Sequence, residues 1–97
     1  MNPEDEALRR QEVNRGRQAR VITEHPFWIE AWTMLESNLM EGWRATRTGE
    51  PERRELIYLQ LRAAAEVRGM IEEILETGTI AERQLGEARD EHSKGKH

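Results

Sequence analysis

Residues 26–46 read PFWIEAWTMLESNLMEGWRAT, and residues 51–76 read PERRELIYLQLRAAAEVRGMIEEILE. In the first stretch Trp28, Trp32, Leu35, Leu39 and Trp43 are spaced 4, 3, 4 and 4, which traces one stripe of an amphipathic helix. Ile29 and Met40 widen that stripe. Trp28 and Trp43 lie about 60° apart on a helix turning 100° per residue, so all three tryptophans share a face. In the second stretch Ile57, Gln60, Ala64, Val67, Ile71 and Ile74 follow one another at spacings of 3 and 4. Leu56, Leu59, Leu61, Met70 and Leu75 broaden its apolar surface, while Ala63, Ala64, Ala65 and Gly69 are small enough to let another helix come close. Residues 47–51 link the two stretches, and a connection that short makes neighbouring helices antiparallel.

Working outward, three X-Pro pairs punctuate the chain: Asn2-Pro3, His25-Pro26 and Glu50-Pro51. Proline suits the first position of a helix, where its missing N–H would have no partner anyway. The residue before it is pushed out of helical geometry. The pairs therefore mark three helix starts. The first helix is expected from Pro3 to about Ile22, capped by Asn2, with Glu4, Asp5 and Glu6 in the turn where carboxylates suit the helix dipole. Its apolar residues are sparse, and Gly16 interrupts it at about 1 kcal/mol relative to alanine. It reads as a fraying helix ordered by docking. Glycines mark the expected ends of the other two, Thr48-Gly49 after the second and Thr77-Gly78 after the third. A short turn or helix from Ile80 to Leu85 follows, and then a flexible polar tail from Gly86 to His97.

The fold expected is all-α: an antiparallel αα-hairpin over residues 26–77, an additional, less firmly packed N-terminal helix, and a disordered C-terminal tail, with residues 1–85 forming one domain. The 97 residues are 36% apolar and 35% charged, so the core is thin for a chain that already buries a modest share of its surface. There are no cysteines, which removes disulfide, zinc-thiolate and thiol chemistry. No apolar run approaches the length of a membrane span, and the acidic start does not read as a secretory signal.

Candidate chemistry is scarce. His25, ahead of Pro26 and Phe27, reads as a helix cap, with no second ligand at helical spacing. Glu72, Glu73 and Glu76 lack the Glu-x-x-His pattern of helix-borne metal sites and read as a solvated acidic end. No phosphate loop, nucleophile elbow or HExxH motif occurs. The reading is of a non-enzyme without catalytic residues, metal or cofactor. Arg9, Arg10, Arg15, Arg17 and Arg20 could contact phosphates, but no aromatic residue interleaves them and the net charge is −4. The apolar stripes, by contrast, are wider than one helical seam needs. Exposed apolar area of several hundred Å² marks interfaces, where tryptophan is enriched. Trp28, Trp32, Trp43, Leu35, Leu39 and Tyr58 are the interface candidates on this reading, with Ala64, Val67 and Ile71 holding the two helices together.

Residues 26–81 resemble a group of short helical-hairpin proteins encoded by tailed bacteriophages and prophages near packaging and head genes. The features that carry the resemblance are Gly42-Trp43-Arg44-Ala45-Thr46, the charged start Glu52-Arg53-Arg54-Glu55, the pattern Val67-Arg68-Gly69 and the run Glu76-Thr77-Gly78-Thr79-Ile80-Ala81. The resemblance implies a structural or assembly part in a phage particle or its packaging machine, in the host cytoplasm or the virion, and carries over no functional residue. The expected function is thus a helical interaction protein that binds itself or another phage assembly protein. The alternative is a small DNA-binding packaging-initiation or regulatory factor using the arginine cluster.

Overall fold

The computed structural model of the chain describes residues 1–94. They form three helices and no strand: α1 over Pro3–Thr23, α2 over Pro26–Arg44 and α3 over Pro51–Lys94. Each X-Pro pair opens a helix. Asn2 Oδ1 accepts the Asp5 N–H at 2.8 Å, and His25, extended at φ −69 and ψ 129, accepts the Phe27 N–H on its Nδ1 at 3.1 Å. Both are N-caps that satisfy backbone donors with no partner inside the helix.

Neither expected glycine stop ends a helix. The described residues include no glycine with positive φ, the conformation that makes glycine a terminator. α2 closes instead on Ala45, whose N–H donates to the Glu41 carbonyl, and on Thr46, whose hydroxyl donates to the Trp43 carbonyl at 2.7 Å. Glu50 then ties the linker: its carboxylate accepts the Arg47 N–H at 3.2 Å and lies 3.3 Å from Arg53. α3 does not stop at Glu76. It passes through Thr77-Gly78 and absorbs both the separate Ile80–Leu85 element and the first residues of the expected tail. Residues 95–97 lie outside the described residues.

The chain divides into two units: Met1–Ile22 with the chain from Ile71 on, and Thr23–Met70. In the first, α1 runs antiparallel to the second half of α3, and glycine explains both departures from expectation. A Cβ added to Gly16 would stand 3.0 Å from the Gly78 Cα, and one added to Gly78 would stand 3.0 Å from the Gly16 Cα and 3.1 Å from the Glu12 carbonyl oxygen. Gly16 is therefore not a weak point of α1 but the place where two backbones touch. Val13 and Ala81 are buried beside this crossing.

In the second unit α2 and the first half of α3 run in opposite directions. Trp43, at the end of α2, lies under the Arg54 guanidinium, and Trp32, a third of the way along it, lies under that of Arg68. Ile57 is buried in this seam against Gly42.

Candidate interaction surface

α2 brings Trp32 and Trp43 against arginines of α3. Trp28 and Trp32 meet edge-on, with ring centroids 5.6 Å apart and planes inclined at 63°. Arg68 sits 5.7 Å from the Trp32 ring and also pairs with Glu36 on α2. Arg54 covers Trp43 at 4.7 Å. A guanidinium over an indole face is attractive because the ring quadrupole is negative there, and Arg68 gains the Glu36 carboxylate as well. The three tryptophans and Leu39 are half-buried. Leu35 and Tyr58 are more open, and the Tyr58 hydroxyl, accepting from Arg62 at 3.4 Å, raises the pKa of that exposed guanidinium.

The seam on α3 is Ile57, Leu61, Ala64 and Arg68, at spacings of 4, 3 and 4. Val67 was expected to belong to it and does not. It is 46% exposed because it lies about 100° from Arg68 around the helix. Val67 belongs to a second stripe, Leu56, Gln60, Ala63, Val67 and Met70, again at spacings of 4, 3, 4 and 3, and all five residues are exposed. The register continues unbroken through Ile74, Thr77, Ala81, Gln84 and Ala88, all of them buried or half-buried where α1 lies against α3. One seven-residue repeat therefore runs along α3, covered over its second half and bare over its first. A strict repeat of this period is the pattern by which helices pair along their length.

This stripe is what the sequence reading passed over. Two apolar stripes a residue apart merge into one broad surface when only composition and spacing are weighed. The detectable signal was the persistence of the 56–88 register past Gly78, which only a continuous helix allows.

Among the described residues the buried apolar side chains are Val13, Ile57 and Ala81, and no large side chain is fully buried. Phe27 on α2 is 71% exposed and Met70 on α3 is 64% exposed.

The arginine cluster on α1 is largely matched by acids. Arg9 pairs with Glu12, Arg10 with Glu6, and Arg17 reaches Glu82 at 3.4 Å. Arg15 is exposed beside Gln11, Asn14 and Gln18 on the outer face of α1. Among the described residues, no three histidine or carboxylate side chains are grouped to hold a metal ion, and no helix is long and apolar enough to cross a membrane. No family model, curated protein or solved structure matches the chain.

Proposed function

We propose that this chain is a non-enzymatic helical assembly protein that associates with copies of itself, acting in phage particle assembly or DNA packaging, in the host cytoplasm or the virion. One observation carries the reading: a chain of this size that buries so few apolar side chains and leaves Phe27, Ile29, Met34, Leu56, Leu59 and Met70 exposed is built to be completed by another surface. In this reading the α2–α3 pair is an antiparallel hairpin whose tryptophan–arginine seam keeps it rigid while its outer faces bind. The phage setting rests on the likeness of residues 26–81 to hairpin proteins of tailed phages.

The DNA-binding alternative has less support, because Arg9, Arg10 and Arg17 already face carboxylates. Light scattering after size exclusion, at two salt concentrations, tests the proposal. A mass of at least twice the 11.4 kDa of the chain is expected. A monomer at every concentration would overturn self-assembly. Duplex DNA binding that weakens steeply with salt would move the assignment to the alternative.

A further inference from the structure

We infer that the bare half of the α3 stripe is the self-association surface, and that two copies pair there antiparallel about a two-fold axis passing by Ala63. The inference rests on the assembly reading and names the surface that performs it.

Three features point to a second copy of this chain as the occupant. The first is continuity. The covered half of the repeat, Ile74 to Ala88, already holds an antiparallel helix, α1. The bare half has the same period, so it is shaped for another helix running along it. The second is self-complementarity. A two-fold axis at Ala63 sets Leu56 opposite Met70 and Leu59, which flanks the stripe, opposite Val67, while Ala63 meets itself and Gln60 lies opposite Glu66, a donor against an acceptor. Large residues then lie at both ends of the contact and a small one at its centre, where the helices come closest. An isologous interface needs a patch of this kind that fits its own copy. The third is charge. The same alignment sets Arg53 opposite Glu73 at each end of the contact. A parallel pairing would set Arg53 against Arg53 within the stripe, and like charges at facing positions disfavour that arrangement.

The tryptophan face is the competing surface. Two of its three rings are already covered: Trp32 and Trp43 carry Arg68 and Arg54.

The chain has no cysteine, so a single introduced thiol reports without background. Ala63→Cys is expected to form an intermolecular disulfide on mild oxidation, because the two residues face each other across the axis. Ala65→Cys, about 200° away around the helix, is expected to remain unlinked. Met70→Glu is expected to lower the solution mass to that of one chain while the helical circular dichroism is retained. An oligomer that Met70→Glu leaves intact and Ala63→Cys does not cross-link would overturn this surface and leave the assembly reading standing. A chain that is monomeric at every concentration before any substitution would overturn both.

Discussion

Gly16 of α1 and Gly78 of α3 meet backbone to backbone, each occupying the space that the other's Cβ would need. The contact is reciprocal: the carbonyl one turn before each glycine, of Glu12 and of Ile74, lies against the opposing residue. Side chains elsewhere on α1 are mostly polar or charged, so this crossing, with Val13 and Ala81 beside it, holds the helix to α3.

Alanine at either glycine should therefore destabilise, reversing the usual sign. Gly→Ala within a helix is ordinarily favourable by about 0.5–1 kcal/mol. Here the new methyl would stand against backbone, which cannot swing aside, and overpacking of this kind costs about 1–3 kcal/mol. Gly69→Ala is the control, since nothing lies within 4 Å of its added Cβ, and it should raise the melting temperature. Thermal melts of the three variants check the prediction, which fails if Gly16→Ala and Gly78→Ala melt no lower than the parent.

The continuity of α3 makes a second, local prediction. A helix that ended at Gly78 would leave the amides of residues 77–82 exchanging close to the unprotected rate. In a mid-helix segment against α1 they should be protected, more so than those in the last turn before Lys94, where fraying sets in. Residue-resolved hydrogen exchange separates the two cases.

Trp32→Ala should loosen the α2–α3 seam by less than the roughly 3–5 kcal/mol of a fully buried aromatic truncation, because the ring is half-exposed. Arg68→Gln removes the guanidinium from Trp32 and Glu36 together. Both sites are substantially solvated, so its cost should stay at or below about 1 kcal/mol. Urea titration followed by tryptophan fluorescence measures each. A Trp32→Ala chain that kept its stability but lost its oligomeric mass would instead assign the tryptophan face to assembly.

His25→Ala should weaken α2 by about 1 kcal/mol, since the Phe27 N–H loses the acceptor that His25 Nδ1 supplies. His25→Asp keeps an acceptor at the cap and should restore most of that loss. Equal stability of the alanine and aspartate variants would show that the imidazole does not cap the helix.

How far this architecture could be read from the chain depended on how local each cause is. The three helix starts were legible because X-Pro geometry and the caps Asn2 and His25 act within one turn. The all-α class followed from spacings of 3 and 4 with no alternating segment. The helix ends were misread because glycine has two uses. At Gly78 the missing Cβ serves a contact with Gly16, which stands 62 positions earlier, and nothing local distinguishes that from a helix stop.

The interaction surface divides in the same way. The sequence alone established that apolar area exceeds one seam and that tryptophan lines α2. Which of the two stripes on α3 would be hidden was decided only by tertiary packing. α2 settled on Ile57, Leu61 and Ala64, and drew Arg54 and Arg68 over its indoles. Leu56, Ala63, Val67 and Met70 were left to solvent. The two stripes are one residue apart and similar in apolar content, so burial energy hardly separates them. Cation–π contacts and the Arg68–Glu36 pair, which require two helices in register, favour one over the other.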